Sequence, residues 1–162
     1  MVFLYMKKLL VLGVGNILMM DEGIGVHALH ELLKEKDQWP DESIDLVDGG
    51  TFTQDIFYLF VEYEKILVLD IVKGGNTPGT IYRLTESDLR QNEKQTLSLH
   101  DIDLLDSLGM AKMISGKAPE LHVLGIEPEK INWDMKLTPT LETIFPEYVK
   151  LARQEINTLL SN

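Results

Sequence analysis

Residues 8–25 of the chain read KLLVLGVGNILMMDEGIG, and this stretch indicates the fold. Its apolar run up to Val14 does not alternate with polar residues, which is typical of a strand buried on both faces. Glycines follow, and apolar residues at helical spacing begin at Ile24. A buried strand, a glycine-rich exit and a helix form the first half of a βαβ unit, so the stretch predicts a largely parallel sheet.

The same alternation of strand and helix signals continues along the chain. Short apolar runs predict strands at residues 44–47, 66–69 and 121–126, and a fifth strand, antiparallel or at a sheet edge, at 80–84. Apolar spacing predicts helices at 24–33, 57–61, 102–108 and 141–159, with Pro146 marking a break or the true start of the last helix. We predict an α/β fold, a three-layer α/β/α sandwich around a mostly parallel five-stranded sheet. Residues 1–162 are expected to form one domain, with 1–5 as a loosely ordered extension.

The composition excludes several classes of function. The chain has no cysteine, which removes disulfides, thiolate-zinc sites and a cysteine nucleophile. Its 15 basic and 26 acidic residues give a formal charge of −11 without a basic stripe, so nucleic acid is not an expected partner. The first residues lack the basic region of a signal peptide, and the run from Leu9 to Val14 is too short to span a membrane. We therefore expect a cytoplasmic protein without a membrane partner.

The glycine-rich loop does not match the common nucleotide-binding motifs. A dinucleotide fingerprint requires a third glycine where Leu18 stands, and the Gly-Lys-Ser/Thr of a P-loop is absent. The glycines instead permit a tight exit from the strand and close approach of another segment. Asp21 and Glu22 fall where the helix is expected to begin, so two interpretations stay open: capping of that helix, or a ligand role at the end of the strand.

Two further carboxylates follow predicted strands. Asp70 ends the run Ile66 to Leu69, and Asp48, before Gly49 and Gly50, ends the second strand. Functional groups of an open α/β sheet gather beyond the carboxyl ends of its strands, where Glu22 is also expected. Asp48 has the alternative role of a turn residue. Clustered carboxylates repel one another, so the cluster predicts a bound proton or cation, and metal binding is the simpler interpretation.

One of the four histidines is a candidate ligand. His100 lies at the expected entry to the third helix, where it can face the same edge of the sheet. His27 and His30 fall on the helix face opposite the apolar stripe and are expected to be solvated, and His122 is expected to be a core or edge residue of a strand. No Gly-x-Ser-x-Gly motif is present, and Ser98 and Ser107 are expected to be caps or surface residues.

The chain contains a series of landmarks in order: GVGNIL at 13–18, DEGIG at 21–25, DGGT at 48–51, Asp70, PGT at 78–80, SLH at 98–100, LGIEP at 124–128 and LTPT at 137–140. These resemble the landmarks of the hydrogenase-maturation endopeptidases, which remove a C-terminal extension from the large subunit of nickel-iron hydrogenases. The resemblance covers almost the whole chain after Met6.

The resemblance implies that Glu22, Asp70 and His100 are the catalytic, metal-contacting side chains. Oxygen and nitrogen donors suit nickel, and also zinc, manganese or cadmium, and three ligands leave positions open for water or substrate. It further implies that nickel arrives bound to the large-subunit precursor. We expect the enzyme to act as a monomer on one precursor. Six residues are candidates for supporting these ligands or binding substrate: Asn16, Asp21, His27, Asp48, Gly49 and Gly50.

The chain departs from the family pattern at one position, and the function has rival interpretations. Where the family pattern has arginine, this chain has His27, which bears on substrate orientation and predicts sensitivity to pH. Hydrolysis can proceed by a metal-polarised carbonyl or by carboxylate-activated water, and the sequence does not choose between them. A non-catalytic metal-binding chaperone for hydrogenase assembly is the alternative function, and a flavodoxin-like nucleotide-binding module is a third.

Overall fold

A five-stranded sheet forms the centre of the protein in the computed structural model, which describes residues 5–51, 54–91 and 99–162. Its strands are β1 (Lys7–Val14), β2 (Ile44–Gly50), β3 (Tyr63–Ile71), β4 (Ile81–Thr85) and β5 (Glu120–Ile126). The order is β2-β1-β3-β5-β4, with β4 antiparallel at an edge and the other neighbours parallel. The predicted sheet is confirmed, including its antiparallel edge strand. The expected extension at residues 1–5 lies almost entirely outside the described residues.

The helices occupy the connections between these strands. They are α1 (Ile24–Leu33), α2 (Glu86–Gln91), α3 (Leu99–Ser115) and α4 (Pro139–Ser161). The predicted helical segment at 57–61 is a 3₁₀ helix, Gln54–Val61, and the short α2 is a helix that the apolar spacing did not predict. Within the described part of the chain, no helix is long and apolar enough to cross a membrane.

The sheet is covered on both faces, as the uninterrupted apolar strands require. Leu9 and Val11 of β1 pack with α1 and α4 on one face, whereas Leu10 and Leu12 pack with the 3₁₀ helix and α3 on the other. These four side chains are fully buried. Successive residues of a strand point to opposite faces, so a strand between two helical layers is apolar throughout. The three-layer α/β/α prediction is therefore confirmed.

The start of the last helix differs from the prediction. Helix α4 begins at Pro139, next to Thr138 as its N-cap, and Pro146 lies inside it rather than at its start or at a break. The Thr138 side chain accepts a hydrogen bond from the Leu141 N–H, and Pro139 fits the first turn, where its missing N–H has no helical partner to lose. Pro146 therefore gives up one backbone hydrogen bond within a helix that the buried face of α4 holds in place.

The strand order creates one position where ligands are expected. The chain leaves β1 toward β2 through α1, whereas it leaves β3 toward β4 and then β5 on the opposite side. β1 and β3 are neighbours, so their connections diverge and open a crevice beyond their carboxyl ends. The turn that carries Glu22 follows β1, and Asp70 is the second-to-last residue of β3.

Candidate active site

Two glycines allow the turn that carries Glu22 to lie directly against the carboxyl ends of β1 and β3. Glu22 belongs to a short 3₁₀ turn, Met20–Gly23, that packs against β3 and leads into α1. A Cβ at Gly15 would overlap the carbonyl oxygen of Glu22, and a Cβ at Gly25 would overlap the carbonyl oxygens of Val14 and Leu69. Close approach of the chain to the ends of β1 and β3 is therefore possible only with glycine at these two positions.

Asp70 carries a buried carboxylate at the carboxyl end of β3. Its side chain is 1% exposed, and its Oδ1 accepts the N–H of Ile71 at 2.7 Å. Tyr148 of α4 lies nearby, and its hydroxyl donates to the Leu124 carbonyl at 2.6 Å. Burial, and then the negative charge of Asp70, hold the pKa of Tyr148 well above its ordinary value, although a backbone hydrogen bond with Asp70 acts the other way. The phenol therefore keeps its proton and fixes α4 against the strand next to Asp70.

The third predicted ligand, His100, lies in the first turn of α3, as expected for a helix-entry residue. Its side chain is outside the described part of the structure, so the predicted triad stays a prediction. Among the side chains that the structure does describe, no three His, Asp or Glu residues are grouped so that they could hold one metal ion. Glu22 lies in the connection after β1, and Asp70 lies at the end of the neighbouring strand β3. Helix α3 precedes β5, the next strand after β3 in the sheet.

Asp21 does not cap helix α1, so the capping interpretation is wrong for this residue. The N-cap of α1 is Gly23, and no side chain caps the helix. Asp21 is fully buried, and its carboxylate accepts the N–H groups of Glu129 and Lys130 at 2.9 and 3.0 Å. It also accepts the N–H and the hydroxyl of Thr138. These donors satisfy a buried charge, and Asp21 joins the turn of Glu22 to the segment that precedes α4.

The remaining candidates from the glycine-rich loops border a neighbouring hollow of about 310 Å³. It is lined by Asn16, Asp48 and Gly50, among others, while Gly49 packs against Leu12 below. Asp48 Oδ1 accepts the Gly50 N–H at 2.9 Å, in agreement with the turn role that was its alternative interpretation, and Asp48 lines this neighbouring hollow. The Asn16 side chain accepts the Leu18 N–H at 2.9 Å and stiffens the loop after β1.

Comparison with known proteins identifies the family. A family model described as hydrogenase maturation protease matches residues 26–155, which is most of the chain. This protein is a member of that family. The matched range includes Asp70 and His100, and Glu22 lies just before the first matched residue. The resemblance predicted from the sequence is confirmed, and the protein is accordingly a peptidase.

Individual relatives agree with this assignment. The hydrogenase 2 maturation protease of Escherichia coli (strain K12) is 32% identical over 138 residues, covering 85% of this chain and 83% of the relative. The structure of the E. coli hydrogenase maturating endopeptidase HybD superposes with a TM-score of 0.81 at 28% identity, covering 94% and 93% of the two chains. A solution structure of an endopeptidase from Escherichia coli has a TM-score of 0.73 at 31% identity, covering 90% of each chain. None of these names supports the chaperone alternative.

The histidines of this maturation protease differ from expectation at one position. His30 is exposed, as predicted, and lies 3.1 Å from Asp48. His27 is only partly exposed, and its Nε2 is buried without a hydrogen-bond partner among the described residues, so the prediction of a solvated side chain is wrong. Burial, and then the charge of His30, lower the pKa of His27. His122 is a strand residue of β5, as predicted, paired with Glu120 at 2.6 Å.

Two residues of the maturation protease have roles that the sequence reasoning missed. Glu127, 5% exposed, accepts the N–H groups of Gly74 and Asn76 and the hydroxyl of Tyr82, and so shapes the loop that follows Asp70. The sequence signal for Glu127 is its position directly after the apolar run of β5, because the same kind of position predicted Asp70. Ser107 is fully buried in α3, so its predicted surface position is wrong.

Proposed function

We propose that this protein removes the C-terminal extension of a nickel-iron hydrogenase large-subunit precursor after nickel has been inserted. In this proposal, the nickel carried by the precursor docks against Glu22, Asp70 and His100. The observation that supports it is that the Glu22 turn follows β1 and Asp70 ends the neighbouring strand β3, both at the β1/β3 crevice. Family membership makes the protein a peptidase, and this crevice is where an α/β sheet presents its reacting groups.

The donor set fits a cation carried by the substrate. Two carboxylates about 4 Å apart repel by roughly 4 kcal/mol at an effective dielectric of 20, and a divalent ion between them removes that repulsion. Two oxygen donors and one imidazole suit nickel, and zinc, manganese or cadmium would also fit. Because the ion belongs to the precursor, the enzyme needs no resident metal, and only precursor that has received nickel is bound productively.

Peptide hydrolysis then requires a polarised carbonyl, an attacking water and a proton for the leaving amine. The substrate's nickel supplies Lewis-acid polarisation when bound. Asp70, nearly inaccessible to solvent, holds the cation side of the site, whereas Glu22 is partly exposed and can meet water. We assign Glu22 to accept a proton as the water oxygen bonds to the carbonyl carbon. The same proton passes to the amide nitrogen as the carbon–nitrogen bond breaks, which balances the step.

The decisive experiment incubates the protein with nickel-loaded large-subunit precursor and weighs the product by mass spectrometry. The expected result is a shortened large subunit and a released C-terminal peptide. Precursor without nickel is the control and should keep its full mass. Binding of the loaded precursor without any loss of mass would contradict the proposal and would favour the chaperone alternative.

Substitution of the three predicted ligands tests the site itself. Glu22→Gln, Asp70→Asn and His100→Gln should each slow processing by about 10² or more, the usual contribution of a positioned acid or base. Matched controls are Glu64→Gln and Asp106→Asn, which are exposed, and His122→Gln on β5. Circular dichroism should report unchanged folding in each variant. Normal processing by all three ligand variants would refute the assignment.

We also propose that the protein acts in the cytoplasm as a monomer on one precursor molecule. The formal charge of −11 supports the monomer, because like charges on two copies oppose self-association. Sedimentation of the protein alone and with precursor tests it, and the expected species are a monomer and a one-to-one complex. A stable dimer of the protein alone would contradict the monomer.

A further inference from the structure

Four large apolar side chains are exposed beside the Glu22 turn. Ile17 and Leu18 are 37% and 47% exposed, and Trp133 and Met135 are 74% and 64% exposed. The first two lie in the loop that leads from β1 to Glu22, and the other two lie in the segment that leads from β5 to α4. We call these four residues the apolar rim. Exposed apolar patches on soluble proteins commonly mark sites of protein interaction.

The two loops that carry the apolar rim are joined to each other. The Met20 N–H donates to the Asp134 carbonyl at 2.8 Å, and the Asp134 N–H donates to the Leu18 carbonyl at 3.0 Å. Met19 and Asp134 form a parallel bridge between the loops. The rim is therefore held in one shape before any partner arrives, which lowers the entropy cost of binding.

The backbone between the rim and Glu22 is strained. Met20 has a φ of 52°, the only positive value among the described residues other than glycine. Such a conformation costs about 1–3 kcal/mol and persists only where the surroundings hold it, as the bond from Met20 to Asp134 does here. The strain lies directly between Leu18 and Glu22, so the exposure of the rim and the position of the candidate catalytic carboxylate are set by the same few bonds.

The position of the apolar rim limits what can cover it. Leu18 precedes Glu22 by four residues, so their Cα atoms are at most about 14 Å apart. Met135 also lines a hollow of about 530 Å³ that has room for a side chain, with Leu137 and Phe145 as its other apolar lining residues and polar and charged side chains around them. A second copy of this chain seated on the rim would cover the edge at which Glu22 must meet its substrate. The occupant that fits is the polypeptide being cleaved.

We propose that the apolar rim binds apolar residues of the polypeptide substrate that lie within about four positions of the cleaved bond, since an extended chain advances about 3.3 Å per residue. This inference rests on the proposed function and adds a requirement for apolar residues next to the cut. Tryptophan and methionine are typical of the centres of protein interfaces. The four side chains of the rim are uncharged, although the protein has a formal charge of −11, so the rim suits apolar residues of the substrate.

Kinetics of rim variants with the nickel-loaded precursor test this inference. Leu18→Ser, Trp133→Ser and Met135→Ser should each raise KM by about tenfold or more, because exposed anchors contribute mainly to binding. Their kcat should stay within about twofold of the unsubstituted protein. Matched controls are Met113→Ser and Ile114→Ser, which are 86% and 66% exposed near the end of α3. That end of α3 leads into the start of β5 and so lies away from the carboxyl ends of the parallel strands. Unchanged KM in all three rim variants would overturn the inference.

A photo-cross-linking amino acid at position 18 locates the occupant directly. Irradiation in the presence of nickel-loaded precursor should link position 18 to residues next to the cleavage site, as mapped by mass spectrometry. A link to another part of the precursor, to a second copy of this chain, or to nothing would overturn the inference. The cross-link does not depend on turnover. If the unsubstituted protein fails to shorten the precursor, the proposed function fails while the cross-link still reports what covers the rim.

Discussion

The carboxylate of Asp21 and the hydroxyl of Thr138 lie within 3.0 Å of each other, although 117 positions separate them in the chain. Asp21 immediately precedes Glu22, and Thr138 caps α4. This contact fixes the turn of the candidate catalytic carboxylate to the beginning of the last helix. The site thus depends on a buried side chain that has no direct part in the proposed chemistry.

Asp21→Asn should lower the free energy of unfolding by about 2–4 kcal/mol, because an amide presents its own donors to N–H groups that need an acceptor. Urea unfolding measures the change. The control is Asp37→Asn at an exposed position, with an expected change within about 0.5 kcal/mol. Equal stability of the two variants would show that the bonds of Asp21 contribute nothing.

Gly25→Ala and Gly109→Ala form a matched pair within helices. The added methyl at position 25 would overlap the Val14 and Leu69 carbonyl oxygens, whereas position 109 has open space. Gly25→Ala should therefore move α1 off the sheet, lower stability and abolish processing. Gly109→Ala should raise stability by up to about 1 kcal/mol, the difference in helix propensity. Thermal unfolding and the processing assay measure both, and normal processing by Gly25→Ala would contradict the close packing.

Tyr148→Phe removes the hydroxyl that donates to the Leu124 carbonyl. A buried carbonyl left without its partner should cost about 1–3 kcal/mol of unfolding free energy. Tyr58→Phe, at an exposed position, is the control and should change stability by less than about 0.5 kcal/mol. Denaturant unfolding of the two variants provides the comparison, and a stable Tyr148→Phe protein would exclude a structural role for the bond.

His27 predicts a dependence of stability on pH. Burial, and then His30, lower its pKa below the ordinary 6.5. Between 6.5 and the lowered value, the unfolded chain binds more protons at this residue than the folded protein, so this contribution to stability falls as the pH decreases through 6.5. Urea unfolding at a series of pH values should show a smaller loss for His27→Gln. His30→Gln should keep part of the loss, because burial remains. Identical pH profiles for the unsubstituted protein and His27→Gln would contradict the prediction.

Most of the fold was predictable because its signals are local. The apolar runs marked the strands, and only their ends were misjudged: β3 extends from Tyr63 to Ile71, beyond the run that revealed it. Pro146 was misplaced because helix propensity treats proline as a breaker, whereas the start of α4 is set by the capping bond at Thr138. Helix α2 has six residues, with Leu89 buried, and so shows no period to detect.

The place of a candidate residue was predictable where its position in a strand decides that place. Asp70 follows an apolar run, and the end of a parallel strand is enough to place it at the crevice. The partners of Asp21 and Glu127 come from distant segments, so spacing along the sequence holds no trace of them. His27 lies away from the apolar stripe of α1, and it borders a hollow that is also lined by Met135 and Leu137 from a distant segment, which spacing within α1 does not reveal. The ligand role of His100 remains a prediction from the family resemblance and its place in the chain.

The bonds of Asp21 with residues 129–138 also bear on synthesis of the protein. A growing chain on the ribosome folds from its N-terminal side, yet the partners that hold the Glu22 turn emerge only after all five strands have been made. The Glu22 turn can therefore acquire these bonds only once the last quarter of the chain, which contains residues 129–138, is being translated.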